Sequence, residues 1–232
     1  MRKTFLYLYP IEEYQSAIFR KEDFYKEDLG VNPPIPVLEE CIQKRYRDKG
    51  YEIVYATYPD REVVGLKVRP EDRVILTDVM FDEASGYRKD GTMKSIEEVK
   101  LPNSKILLNQ IGDMDEIVIS GFHSESCVED VAEYAYKLGV DTLVDLELTE
   151  RFEYLYRQPE FKIESYNPAD LREKSIARSI LDGEDMDRVN KALHSYSPIY
   201  HFYDDSYEPT ITAKEIVESE MSKHEKEELI LK

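Results

Sequence analysis

Tryptophan is absent from this 232-residue chain, and it holds only two cysteines, four histidines and nine glycines. Two cysteines cannot build a disulfide framework, so a packed core must carry the fold, and a reducing, cytoplasmic compartment is expected. The histidines, His123, His194, His201 and His224, are scattered, and neither C-x-x-C nor H-E-x-x-H occurs. No zinc site or other metal centre is therefore expected. Asp78, Asp82 and Glu83 are close in sequence, but among 49 acids such a cluster arises by chance. The chain lacks G-x-G-x-x-G, the phosphate loop G-x-x-x-x-G-K and the G-x-S-x-G elbow, so no cofactor is expected. No apolar run approaches the roughly 18 residues that span a bilayer, so no membrane partner is expected. At the N-terminus, Pro10, Glu12 and Glu13 interrupt the apolar stretch too early for a secretory signal. Positive charge is also short. With 31 Lys and Arg against 49 Asp and Glu, the net charge is −18, which disfavours nucleic acid and anionic substrates at long range.

What is present reads as α/β. TFLYLY at 4–9, YEIVYATY at 51–58, RVILTDV at 73–79, EIVIS at 116–120 and 140–146 are short apolar runs of the kind buried in parallel sheets. A weaker strand is expected at 63–68. Residues 12–30 could hold a short helix, and Pro33, Pro34 and Pro36 predict a stiff connector. Helical spacing appears at 37–49, with Gly50 as the stop, and at 128–138, stopped by Gly139. A further helix is expected from Asn103 or Ser104 to Gln110, after an irregular stretch at 82–103. The alternation of strand and helix predicts a three-layer α/β/α fold with a mainly parallel central sheet. Helices are also expected at Arg151–Tyr156, Asp170–Leu181 and Arg188–Leu193, with a terminal one near the C-terminus. One domain should span 1–185, followed at 186–232 by an aromatic and acidic extension that packs on the domain or on a partner.

Chemistry concentrates in GFHSESCV at 121–128, between a buried strand and a helix start. A cysteine there meets unpaired backbone N–H groups and the positive end of the helix dipole, which favour thiolate. The N–H groups of Ser126 and Cys127 could hold an oxyanion. Buried cysteine more commonly packs as a small hydrophobe, and that is the reading for Cys41. His123 could act as acid or base, or line a pocket mouth. Ser124 and Ser126 are expected to cap the helix, and Ser124 and Phe122 are also candidates for contacting substrate. Asp145 and Glu147 fall at a strand end, on the edge where such sheets bind ligands.

Residues 117–147, IVISGFHSESCVEDVAEYAYKLGVDTLVDLE, resemble the isochorismatase-like cysteine hydrolases. Gly121 matches the strand-end glycine, Cys127 the nucleophile and Val128 the residue after it. Ala135 and Gly139 also fall in place. Ser124 stands where Thr is usual, Glu125 where Asp is usual, and Val131–Ala132 where Thr-Ala is usual. In outline the resemblance covers about 150 residues, including RYRDKGYEIVYATYP at 45–59. It implies a parallel α/β fold, attack by a cysteine on a small amide or related substrate, and often a homo-oligomer. It further implies an Asp at the end of the first strand, a Lys from an intermediate loop, and a cis peptide before the nucleophile. The Asp is missing around Tyr9 and Pro10, where Glu12 and Glu13 come two or three residues late. Lys94 and Lys100 are the candidate lysines, with Lys105, Arg88 and Lys89 nearby. Two alternatives stay open: a catalytically inactive relative with a binding or assembly role, and an unrelated α/β nucleotide- or ligand-binding protein.

Overall fold

The computed structural model describes residues 1–159 and 161–164. Five strands form one all-parallel sheet in the order β3-β2-β1-β4-β5. They are β1 (Lys3–Leu8), β2 (Glu52–Thr57), β3 (Arg73–Leu76), β4 (Glu116–Gly121) and β5 (Asp141–Val144). Strand alternation divides the core in two. Leu6 and Leu8 of β1, Val54 and Ala56 of β2, and Ile117 and Ile119 of β4 face one side. There they meet Leu107, Leu108 and Ile111 of α4 (Ser104–Ile111) and Val131, Ala132 and Ala135 of α5 (Glu129–Lys137). Phe5, Tyr7, Ile53, Tyr55 and Val118 face the other side. They pack on Leu38, Cys41 and Ile42 of α2 (Pro34–Arg45) and on Phe152 of α6 (Phe152–Leu155). Helices on both faces make the three-layer α/β/α architecture expected from the sequence.

Local differences have physical causes. Pro34 opens α2 at its first position, where the missing N–H is no loss, so the proline run starts a helix instead of forming a connector. The run at 63–68 is not a strand. Gly65 takes φ of +73° with Gln15 packed against it, and Val64 N–H donates to Pro10 O. The expected helix at 12–30 divides into α1 (Glu12–Ile18) and a wide helical turn at Phe24–Asp28. The irregular stretch after β3 holds one short helix, α3 (Phe81–Ala84), and a 3-10 turn at Ile96–Glu98. The expected helices beyond 164, and the boundary at 185/186, lie outside the described residues. No helix among the described residues is long and apolar enough to cross a membrane.

Arg45 is fully buried and gathers the chain after β5. Its guanidinium meets Asp145 at 3.3 Å and Glu147 at 2.7 Å, and donates to the carbonyls of Lys162 and Ile163 at 2.8 and 2.9 Å. Tyr46 adds its hydroxyl to Asp145 at 2.5 Å. Desolvation works to lower the Arg45 pKa, but the two carboxylates outweigh it and the guanidinium stays charged. Asp145 is thus consumed by a buried ion pair on the α2 side, not presented to the crevice at the strand ends.

The open edge of β3 is covered by a side chain. Gln110 accepts from Leu76 N–H at 3.2 Å and donates to Leu76 O at 2.7 Å, imitating a sixth strand for one residue. Val74 and Leu76 are otherwise exposed on this edge. Replacing Gln110 with Ala is expected to cost about 1 kcal/mol and to raise self-association at high concentration. Light scattering that stays monodisperse at matched concentration would count against this role.

Candidate active site

Cys127 lies on a wide helical turn, Ser124–Val128, that joins β4 to α5 at the C-terminal edge of the sheet. This turn alters the expected N–H cradle. The N–H groups of Ser126 and Val128 both donate to His123 O, at 3.2 and 3.1 Å. Ser126 does not cap the helix with its side chain; its hydroxyl reaches the Cys127 sulfur at 3.9 Å. Cys127 is 7% exposed, and burial raises its thiol pKa above the ordinary value, partly offset by the Ser126 and Tyr9 hydroxyls. The helix-start setting therefore does not by itself yield a thiolate.

Beside Cys127 opens a cavity of about 480 Å³. Tyr14, Tyr58, Phe81 and Tyr87 supply aromatic walls, Leu101 and Pro102 a further apolar side, and Glu13, His123 and Ser126 the polar groups. The Tyr14 and Tyr58 hydroxyls meet at 3.2 Å, and the His123 ring stands edge-on to Tyr14 at 4.5 Å. Burial pushes the Tyr14 phenol up to about 12. Loss of hydration lowers the His123 pKa, so the imidazole is more readily neutral than in water.

Two non-glycine residues among those described have positive φ, Tyr9 at 58° and His123 at 65°. They follow neighbouring strands, β1 and β4, and both stand near Cys127. Strain of this kind gathers at functional sites. At Tyr9 it has a visible effect. Alternation along β1 would send Tyr9 to the side of Phe5 and Tyr7, yet it packs in the cluster of Leu6, Leu8 and Cys127. Its ring stacks on Tyr58 at 5.0 Å. Its hydroxyl is buried without a hydrogen-bond partner, in the cluster that also holds Cys127.

The other sequence candidates are dispersed. Glu13 Oε1 pairs with Arg61 at 2.6 Å, while Oε2 is buried without a partner. Glu12 is exposed at the start of α1. Lys94 donates to Asp82 O, and Lys100 pairs with Glu83 at 2.5 Å. Neither lysine lines the cavity. Phe122 is 2% exposed and packs in the opposite cluster, beside Tyr7 and Phe19. The Ser124 side chain lies outside the described ones. The implied cis peptide is absent from the described residues. Asp82 and Glu83 serve ion pairs with lysines, and no group of three or more His, Cys, Asp or Glu is gathered as metal ligands among the described residues. Sequence reasoning missed Tyr14, Tyr58 and Phe81. Their only signal was a concentration of aromatics at strand ends and just after them.

A three-layer α/β/α protein with a buried thiol beside an aromatic cavity at the sheet's C-terminal edge is the class that fold and site define. No protein-family model and no curated protein matches the chain. Solved structures with similar backbones include N-carbamoylsarcosine amidase from Thermoplasma acidophilum, at 15% identity and a TM-score of 0.40, covering 67% of this chain and 93% of that one. The yeast nicotinamidase Pnc1p is similar at 15% identity and TM-score 0.36, covering 63% and 87%. An isochorismatase-like hydrolase from Alkaliphilus metalliredigens is similar at 12% identity and TM-score 0.38, covering 80% and 94%. At such scores backbone likeness decides nothing about chemistry, which the side chains around Cys127 must carry.

Proposed function

We propose that this chain is a cysteine hydrolase of a small, planar, uncharged amide. The observation that carries this reading is the shared cavity: Cys127, Glu13 and an aromatic wall line one space of about 480 Å³, and one Glu13 carboxylate oxygen has no hydrogen-bond partner. Aromatic walls favour a flat apolar body, and the net charge of −18 disfavours an anion. In this reading Glu13 takes the thiol proton, directly or through one water. The thiolate attacks the carbonyl carbon, and the carbonyl electron pair moves to oxygen. The amine leaves with a proton, and water then cleaves the thioester, restoring the thiol and releasing the acid. The Cys127 N–H, and the Ser126 N–H once released from His123 O, are the oxyanion donors at hand. Arg61 competes for Glu13 through their ion pair at 2.6 Å.

A second reading, a protein that binds such molecules without turnover, is favoured by a specific observation. Among the described residues, no lysine or arginine lines the cavity, and the thiol is held in its neutral form by burial.

Iodoacetamide labelling of the native chain, mapped by peptide mass spectrometry, tests the thiol. The folded pKa is raised, so the thiolate fraction and the labelling rate should climb with pH and reach half-maximum above the roughly 8.5 of a free cysteine. Cys41, fully buried and pushed up to about 12, serves as the inert internal control. Incubation with a panel of neutral aromatic and aliphatic amides should release ammonia, and Cys127→Ser should abolish it. Ammonia at the uncatalysed rate throughout, with calorimetric binding retained, would sink the hydrolase and leave the binding protein.

A further inference from the structure

We propose that Tyr9 is the hydrogen-bond donor that stabilises the Cys127 thiolate. The inference deepens the cysteine reading above and rests on it. Two independent observations meet at this residue. A φ of 58° turns the Tyr9 side chain off the alternation of β1 and into the cluster that holds Cys127. The hydroxyl is buried and unpartnered in ordinary geometry, although Tyr14 and Tyr58 nearby satisfy each other at 3.2 Å.

A buried phenol suits one task here. It cannot accept the thiol proton at neutral pH, because burial and its neighbours hold the hydroxyl in its protonated form. It can donate to sulfur once the thiol has ionised, S–H giving its proton to hydroxide or a carboxylate and Sγ keeping the electron pair. An orphaned donor beside a neutral thiol then becomes a satisfied donor beside an anion. Ser126 is the second donor, at 3.9 Å. The other groups oppose or ignore the thiolate. Asp130 from α5 disfavours it, as does burial itself. Glu13 and Tyr14 from α1, Tyr58 after β2, Asp78 after β3 and His123 after β4 supply no fixed cation.

Tyr9→Phe removes one oxygen and keeps the ring, so the fold should survive; near-UV circular dichroism checks that. In mapped labelling of Cys127, the half-maximum should move up by about one pH unit, and the rate at a fixed pH below it should fall about tenfold. The plateau rate at high pH should hold. A plateau change with an unmoved half-maximum would mean that Tyr9 only packs, and would overturn the proposal. Ser126→Ala should shift the half-maximum in the same direction by less. If Tyr9→Phe unfolds, 3-fluorotyrosine incorporation, which strengthens the donor while keeping the shape, should move the half-maximum down, and no movement would refute the role. The two readings fail separately. A shifted half-maximum with no amide turnover keeps this inference and removes the hydrolase, whereas turnover with an unshifted half-maximum does the reverse.

Discussion

Arg45→Met should lower stability by about 3–5 kcal/mol, the cost typical of breaking a buried ion pair by removing one partner. In a domain of this size that corresponds to a fall in Tm on the order of 10 °C. The reason lies in what remains. Asp145 is fully buried and would lose its cation, keeping the Tyr46 hydroxyl and the Glu147 N–H on its carboxylate, while Glu147 would lose the same cation. The carbonyls of Lys162 and Ile163 would lose their donors, and the cation over Phe161 at 5.2 Å would go. Amide exchange at 161–163 should accelerate beyond the global loss. Adding Asp145→Leu to Arg45→Met should recover part of the stability, because it removes the fully buried carboxylate, while Glu147, partly exposed, still loses Arg45. A Tm within 2 °C of the parent for Arg45→Met alone would show that water reaches this network.

Gly121→Ala should cost about 3 kcal/mol through backbone strain and displaced neighbours. Gly121 has φ of +114°, and an added Cβ would lie 2.3 Å from Leu8 O and 2.4 Å from Leu8 N. Those are backbone atoms of the adjoining strand, so no rotamer relieves the clash. β1 and β4 pair at Leu8 and Gly121, and Phe122 N–H closes on Leu8 O at 3.0 Å. Separating the two strand ends would move Tyr9 and His123 apart. Labelling of Cys127 should therefore change even where the variant is still folded. Denaturant melts would expose an error directly: an unchanged midpoint would mean that the strands part at little cost.

The candidate site was half legible before folding. Cys127 and Gly121 stand out because a strand-end glycine followed by a cysteine at a helix start is a pattern in local sequence. Glu13 was a candidate by position, and the cavity includes it. Lys94 and Lys100 were candidates by the same logic, but their partners Asp82 and Glu83 are set by the path of the stretch after β3. Asp145 shows the limit most clearly. Its place at a strand end is a matter of sequence, but whether it faces ligand or core depends on Arg45, a hundred residues earlier.

By itself the sequence determined the layered parallel fold, since apolar runs of strand length alternating with amphipathic helices have few other ways to bury both faces of a sheet. It also determined where α4 and α5 stop, at Gly112 and just before Gly139, because those positions take positive φ that other residues adopt only under strain; α2 instead stops at Arg45, and Gly50 ends the 3-10 turn that follows it. Only the tertiary structure decided the chemistry of the thiol. Burial is a property of everything packed around a group, and it reversed the acidifying effect expected of a helix start. The tertiary structure likewise brought Tyr14, Tyr58 and Phe81 to one cavity from three separate segments, a juxtaposition that no spacing along the chain encodes.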